Sequence, residues 1–405
     1  EEYVAKVDGP KVLCSDDAAV ATIAQKYGAI TYGIASEADF RACEVSLAHG
    51  ASSFTVQHRD TGGYVTLGKV SLPLRGQHNV LNALAAIAMA MQFEVAFDDC
   101  CDALSTFGGV VRRFDHRGMD GGATFIDDYA HLPNEIAAVL KASRDETDNW
   151  KRVVAVFQPN RFNRMNVLSP QYADSFVGAD IVVSNADSAW TYKHLIEEKH
   201  RPSWSNRRID KGNYSSGLFV WYFGTDKQYK DVPHHMMVLG PRYKGLLQDI
   251  FKNHKLSKDF SLYLYRPTAT DPSLAPAGCD AFYALSVVPN LSSGTDWPAI
   301  TEQYREAIAT VLQDSVLPDL KQHIVSSKVT TPQDFQDRLW SFKGAGFGLE
   351  PVITQSAWFR PHNRSEDIQN LFLVGAGTQP GAGVPSVLMS AKMLEQVVPH
   401  ALAFH

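Results

Sequence analysis

Asn370-Leu371-Phe372-Leu373-Val374-Gly375-Ala376-Gly377-Thr378-Gln379-Pro380-Gly381-Ala382-Gly383-Val384-Pro385 runs from an apolar strand into four glycines and on to a helix starting near Ser386. Glycine lets a backbone approach a bound group closely, and a helix N-terminus favours an anionic one. A tight structural turn gives the same pattern, so both readings stay open on this stretch alone. Its company upstream is distinctive. Gln355-Ser356-Ala357-Trp358-Phe359-Arg360-Pro361-His362-Asn363-Arg364 precedes it, and Gly344-Ala345-Gly346-Phe347-Gly348-Leu349-Glu350-Pro351 lies before that. Further back stand Arg266-Pro267-Thr268-Ala269-Thr270-Asp271-Pro272-Ser273-Leu274-Ala275-Pro276 and Pro233-His234-His235.

Around these motifs the pattern is strand-rich. Leu218–Phe223, Phe260–Tyr265 and Ala281–Val288 read as aromatic strands of an antiparallel or mixed sheet, with one long helix over Trp297–Leu312. The chain closes with a strand at Leu371–Val374 and a helix over Val387–Val398. Before about residue 180 the texture differs. Lys11–Cys14 reads as a short strand, and Asp16-Asp17 caps a helix over Ala18–Tyr27 that ends at Gly28. Ala51–Gln57 and Gly63–Leu67 alternate as a hairpin, and Asn79–Met91 and Phe97–Thr106 read as helices. Ala123–Ile126, Asn134–Arg144 and Arg152–Phe157 follow a strand–helix–strand order, which predicts a parallel βαβ unit.

Composition narrows the function classes. The 405 residues are 45% hydrophobic and 20% charged, a globular balance. The longest apolar run, Ala83–Met91, is too short to span a bilayer, and the opening Glu1-Glu2 does not read as a secretory leader. Five cysteines without CxxC spacing argue against a disulfide framework and for a reducing cytoplasm. Residues 1–180 carry 16 basic against 23 acidic side chains, and the rest 22 against 21, so no basic face invites nucleic acid. One basic cluster, Lys199, Arg201, Arg207, Arg208 and Lys211, reads either as a solvated loop or as a peripheral contact with an anionic membrane.

The first half has its own chemistry. In Gly76-Gln77-His78-Asn79-Val80-Leu81-Asn82-Ala83 the two asparagines fall one helical turn apart. They are either a helix cap and an ordinary polar position, or amides that read a purine's edges. Arg112-Arg113-Phe114 is followed by Ile126-Asp127-Asp128-Tyr129-Ala130-His131-Leu132-Pro133. Two carboxylates and a histidine after a strand suit Mg²⁺ and phosphate, or else cap the next helix. Phe157-Gln158-Pro159-Asn160-Arg161-Phe162-Asn163-Arg164 sets two arginines after a strand, where a phosphate would sit.

In order and spacing, the segments over about 10–180 resemble the Mur ligases, specifically their UDP-N-acetylmuramate–L-alanine branch. That resemblance implies an ATP site at His78, Asn79 and Asn82, and an inter-domain cleft at Arg113, Asp127, Asp128 and His131 with Arg161 nearby. It also implies Mg²⁺ on Asp127 and peptidoglycan synthesis through an acyl phosphate. Leu132 and Asn160 stand where that family carries histidines, and no GxxxxGK[ST] loop occurs in these residues. From about Asp180 to Val398 the motifs, including Val183-Ser184-Asn185-Ala186-Asp187 and Thr191-Tyr192, resemble the carotenoid desaturases of the phytoene desaturase type.

This second resemblance implies FAD-dependent removal of hydrogen from an apolar polyene. Gly375, Gly377, Gly381 and Gly383 would line the flavin, with Val384 and Pro385 near its ring. The aromatic strands would wall an apolar tunnel, or form an ordinary core. The family's opening GxGxxG is not found, which implies an incomplete flavin site. The expected architecture is α/β: ligase-like parallel-sheet fragments, a central-domain part over 1–110 and a C-terminal-domain start over 111–180. These join a mixed α+β substrate domain and closing strand–helix over 181–405. Three readings follow: a desaturase-like oxidoreductase, a ligase fragment, or an inactive hybrid prone to oligomers through exposed apolar surface.

Overall fold

The computed structural model describes residues 1–48, 50–144, 150–158, 168, 171–172 and 174–399. The chain divides into two units, one of Glu1–Val154 with Asp174–Asp180, the other of Ala155–Ala173 with Ile181–His405. Both are α/β, with parallel and mixed sheets.

The first unit is built on five strands in the order β1 (Val12–Cys14), β2 (Ile30–Gly33), β3 (Phe40–Ala48), β4 (Ala51–Asp60), β5 (Gly63–Leu72). β1, β2 and β3 run parallel, while β3, β4 and β5 are antiparallel. Helix α1 (Ala18–Tyr27) starts where the Asp17 carboxylate accepts the amides of Ala19 and Val20 at 2.9 and 3.0 Å. It ends on Gly28 at φ +57°, which a side chain would resist. Helix α2 (Gln77–Met91) turns Val80, Ala83, Leu84, Ile87 and Ala88 inward, the i, i+3, i+4, i+7 stripe of an amphipathic helix. They pack on Phe40, Phe54, Val56 and Val70, the inward-facing positions of β3, β4 and β5. Each valine, leucine, isoleucine or phenylalanine among them contributes about 1.5–3 kcal/mol on burial, and the alanines less. Helix α3 (Phe97–Ser105) follows.

The expected βαβ unit does not form. A strand that periodicity missed, β6 (Asp115–Asp120), pairs antiparallel with β7 (Ala123–Asp127), and the two make a sheet of their own. Gly121 and Gly122 both take positive φ, +53° and +81°, the two-residue turn whose twist matches that of paired strands. A local hairpin closes more readily than a crossover, so β7 takes β6 as its partner. Helix α4 (Pro133–Ala142) comes next, and β8 (Val154–Phe157) joins a different sheet.

In the second unit that sheet has the order β15-β9-β8, with β9 (Ile181–Ser184) parallel to β15 (Leu371–Leu373). Helix α5 (Ser188–Leu195) and the short α6 (Asn206–Lys211) follow β9. The larger sheet is antiparallel throughout, in the order β11 (His235–Val238), β12 (Leu262–Tyr265), β13 (Asp280–Val288), β10 (Gly217–Thr225), β14 (Ile324–Thr330). Alternation splits its aromatic residues between two faces. Phe219, Trp221, Phe223 and Phe282 join the core under helix α7 (Trp297–Ser315), where Tyr304, Ile308 and Leu312 meet them. Tyr222, Tyr263, Tyr265 and Tyr283 occupy the other face. The closing helix α8 spans Val384–Lys392, and a separate turn covers Leu394–Val397, so the expected single helix starts earlier and is interrupted at Met393. Among the described residues no helix is long and apolar enough to cross a membrane.

One buried ion pair ties this unit together. Arg266 Nε and Nη2 stand 2.9 and 3.1 Å from the two Asp280 oxygens, and Thr268 Oγ1 and the Tyr229 amide donate to the same carboxylate at 2.7 Å. Arg266 Nη1 also donates to the Val232 carbonyl at 2.8 Å. Removing one partner leaves the other charge buried and unpaired. Asp280→Ala is expected to lower unfolding free energy by about 3–5 kcal/mol in a denaturant titration.

Candidate functional site

The closing glycine stretch forms a loop between β15 and α8. Its shape comes mainly from side chains elsewhere in the unit. Arg360, 4% exposed, donates from Nε, Nη1 and Nη2 to the carbonyls of Thr378, Leu349 and Ala376 at 3.2, 3.1 and 2.8 Å. Burial lowers its pKa, opposed by the charge of Asp187. Ser188 Oγ donates to the Gly377 carbonyl at 2.8 Å, and the Gly375 amide donates to Ser390 Oγ at 2.9 Å. Asn363 Nδ2 bridges the carbonyls of Leu373 and Gln379 at 3.1 and 3.0 Å. Four buried residues, Ser188, Arg360, Asn363 and Ser390, thus hold one loop.

The glycines are used unequally. A Cβ on Gly377 would stand 2.8 Å from the Ser188 amide nitrogen, so the site admits no side chain. Gly375, Gly381 and Gly383 need their freedom for another reason, with φ of +100°, +135° and +103°. A Cβ on Gly383 would meet nothing within 4 Å, so the loop is open there. Val384 and Leu388 on the first turns of α8 are 75% and 68% exposed. Beneath the loop, Asp187 caps α5 by accepting the Trp190 amide at 2.9 Å, and burial pushes its carboxyl up to about 6.

The tyrosine face of the antiparallel sheet makes a second surface in this unit. Tyr265 and Tyr283 rings lie 4.7 Å apart, with Tyr263 and Tyr222 at 5.7 and 5.8 Å from Tyr283. Burial pushes the Tyr283 hydroxyl up to about 12, so it stays neutral. His235 Nδ1 is bonded to the Tyr263 hydroxyl at 2.6 Å, and His234 to Thr270.

In the first unit the ligase-like residues gather at the end of the β6–β7 hairpin. Asp128 accepts the amides of Phe114 and Ala130 at 2.7 and 2.6 Å, one on each oxygen. Arg112 Nε lies 3.4 Å from Asp127, and Arg113 3.7 Å from Glu135. His131 Nδ1 stands 2.7 Å from the Tyr129 carbonyl and 3.5 Å from Glu135. His78 feels the charges of Asp128 and Arg113, while burial lowers its pKa. Arg112 and Phe114 both sit at positive φ, +62° and +49°, a conformation uncommon for residues that carry a side chain. Asn79 Nδ2 donates to the Arg75 carbonyl at 2.9 Å, and Asn82 Nδ2 to Asn79 Oδ1 at 3.3 Å. Arg161 lies outside the described residues. Among the described residues no group of three or more His, Cys, Asp or Glu side chains is placed to hold a metal ion.

Sequence reading passed over Glu135, Ser188 and Ser390. Glu135 was legible as the third residue of a capped helix start, accepting the amides of His131 and Leu132 at 3.1 and 3.2 Å. Nothing local marks the two serines, because their partners lie 189 and 15 residues away.

The Mur ligase middle domain family model matches residues 4–90, and that of the Mur ligase, glutamate ligase domain matches residues 112–207. Over 228 residues the chain is 51% identical to phytoene desaturase (neurosporene-forming) of Rhodobacter capsulatus, covering 55% of this chain and 44% of that one. It is 43% identical over 240 residues to phytoene desaturase (lycopene-forming) of Pseudescherichia vulneris, covering 58% and 48%. A crystal structure of UDP-N-acetylmuramate-alanine ligase from Thermotoga maritima is 28% identical, covers 43% of this chain and 37% of that one, and gives a TM-score of 0.35. The chain spans less than half the length of the curated relatives it matches. It is a hybrid in its resemblances, with matches to two Mur ligase domain models and a stretch similar to phytoene desaturases over about half its length.

Asp187 makes a pH prediction. Its carboxyl is raised from an ordinary 3.8 to about 6, so between those values the folded chain holds a proton that the unfolded chain has lost. Stability from this group is full below about pH 4 and declines as pH rises to 6. Relative to Asp187→Asn, the native chain should lose up to about 3 kcal/mol across that window in denaturant titrations. His194, lowered to about 4 by burial, slopes the other way in both chains and cancels in the comparison.

Proposed function

We propose that the chain is a carotenoid-desaturase-like oxidoreductase whose second unit presents a backbone cradle to FAD and an aromatic sheet face to an apolar polyene. The observation that carries the reading is the glycine loop, closed to any side chain at Gly377 and open at Gly383. Those residues fit a flat, anionic cofactor: Gly375, Gly377, Gly381 and Gly383 admit close approach, and Val384 and Pro385 begin a helix whose N-terminal dipole favours negative charge. Bound FAD would accept the hydride removed from the polyene. Arg360, Ser188 and Ser390 fix the path of the loop so that it need not reorganise on binding. Tyr222, Tyr263, Tyr265 and Tyr283 offer uncharged rings, suited to a long conjugated hydrocarbon.

No GxGxxG follows a strand in these 405 residues, so we take the flavin site as incomplete and its affinity as reduced. The test is difference absorbance between about 300 and 550 nm while FAD is titrated to millimolar levels. A saturating shift of the flavin bands, weakened at least tenfold by Gly377→Val, is the expected result, with turnover of phytoene as the second readout. A featureless titration would overturn the reading.

A second reading is favoured by the gathering of His78, Arg113, Asp127, Asp128 and His131 at one end of the first unit. With two Mur ligase domain matches, it supports a fragment of an ATP-dependent amino-acid ligase, with Asn79 and Asn82 beside the nucleotide and Asp127 toward Mg²⁺. Calorimetry with ATP and Mg²⁺ tests it. Measurable heat of binding, lost in Asp127→Ala, supports this reading, and a flat trace removes it.

A further inference from the structure

The outer face of the first unit's sheet carries donors that neither functional reading uses. Alternation sends Phe40 and Ala42 of β3 into the core, so Arg41 and Cys43 face the other way. Register then lines up side chains across three strands. Arg41 opposes Gln57 on β4, and Gln57 opposes Thr66 on β5. In the next row on the same face Thr55 opposes Lys69. Directly opposed side chains have Cβ atoms about 4.5–5.5 Å apart, so a guanidinium, an amide and a hydroxyl stand side by side. Arg41 and Gln57 are half-buried, Thr66 and Lys69 exposed.

The groups around this row are already spent. Arg59 donates to Glu37 at 2.7 Å and to the Tyr64 hydroxyl at 3.0 Å. That hydroxyl donates to the Ala38 carbonyl at 2.9 Å and accepts the Ala38 amide at 3.2 Å, which pins the ring. Thr55 donates to Glu44 at 2.8 Å, and Asp39 accepts the amide and hydroxyl of Thr31, both at 2.8 Å. Glu37, Asp39 and Glu44, the acids nearest Arg41 in sequence, thus each have a donor. Arg41 is joined to no carboxylate among the described residues. Its guanidinium lies 5.9 Å from the centre of the pinned Tyr64 ring, and its Nε, screened from water, meets no acceptor. A cation held with a buried donor unmet is costly unless an acceptor arrives.

We propose that Arg41, Gln57 and Thr66, with Lys69 beside them, bind an anion made of linked phosphates, free or esterified. Adjacent strands lie about 4.8 Å apart, so the row spans about 10 Å. Several oxygens on linked tetrahedral phosphates can meet donors over that span, whereas one flat carboxylate reaches a single side chain. Residues 1–180 carry 16 basic against 23 acidic side chains, so the general field of this half repels anions and retention would be local. The inference needs neither the flavin nor the ligase reading.

Calorimetric titration of the full chain with inorganic pyrophosphate, without divalent metal and at constant ionic strength, tests it. Saturable heat is expected, weakened about tenfold or more by Arg41→Gln. Thr66→Val changes an exposed side chain and should weaken binding several-fold with an unaltered melt, so it carries the test where Arg41→Gln folds poorly. Lys328→Gln removes the same charge from the second unit and should leave binding unchanged. Cys43 reports locally. Burial raises its thiol, with Glu44 adding to the rise and Arg41 opposing it. An anion on Arg41 cancels that opposition, so pyrophosphate should slow alkylation of the Cys43 peptide, read by mass spectrometry. Methyl diphosphate separates the sources: affinity equal to that of pyrophosphate supports an esterified ligand, and weaker affinity the free anion. No saturable heat, or full binding by either the Arg41→Gln or the Thr66→Val chain, overturns the proposal. Binding lost in Arg113→Gln but kept in Arg41→Gln would assign the anion to the ligase-like residues and overturn it as well.

Discussion

The buried Arg266–Asp280 pair is the constraint from which the second unit is organised. Asp280 opens the central strand β13, and its carboxylate is fully withdrawn from water. Such a charge is tolerable only when every lone pair is met, and here an arginine, a threonine and a backbone amide meet it. The arrangement fixes where β12 leaves the sheet, where the 229–232 turn crosses, and so which face of β13 turns inward. Phe282 and Ala284 then fall on the core side and Tyr283 on the other. A motif that reads in sequence as a companion to chemistry is, in the folded chain, the latch that orients the tyrosine face.

The same logic governs the glycine loop. Its residues have little means of holding themselves, since glycine contributes conformational freedom rather than contacts. Order is imposed from outside by Arg360, whose three donors converge on the Leu349, Ala376 and Thr378 carbonyls. The loop is a passive surface and the arginine its template. In the ligase-like unit the roles invert, because the chemically suggestive residues are themselves structural. Asp128 spends both oxygens on backbone amides, and Asn79 ties down the Arg75 carbonyl.

Much of this was legible in the chain, where local rules suffice. The helix over Ala18–Tyr27, with Asp17 and Gly28 at its ends, follows from cap chemistry, and alternation about a glycine turn places the hairpin at Ala51–Gln57 and Gly63–Leu67, short of the full strands Ala51–Asp60 and Gly63–Leu72. The aromatic strands of the second unit appear where expected, but alternation had to be seen in three dimensions before their rings could be divided between core and surface. The βαβ expectation failed because β6, Asp115–Asp120, carries polar and glycine residues on a half-exposed two-stranded sheet and so gives little hydrophobic signal. His78, Asp128 and Arg113 lie within electrostatic reach of one another, and Arg113 and His131 both lie by Glu135, while Ser188 and Ser390 carry no local sign of the loop backbone atoms they bind.

The pairing of β15 with β9 also sets a timetable. Leu371 lies opposite Val182, a separation of about 190 residues. A ribosome adding roughly 5–20 residues each second takes about 10–40 s to cover that distance. For that interval β9 has emerged with the edge reserved for β15 unpaired, a row of amides and carbonyls able to template a neighbouring chain. The apolar sequence Ile181-Val182-Val183 sharpens the exposure. The length of that wait is set by the chain that separates Val182 from Leu371, not by the strength of their pairing.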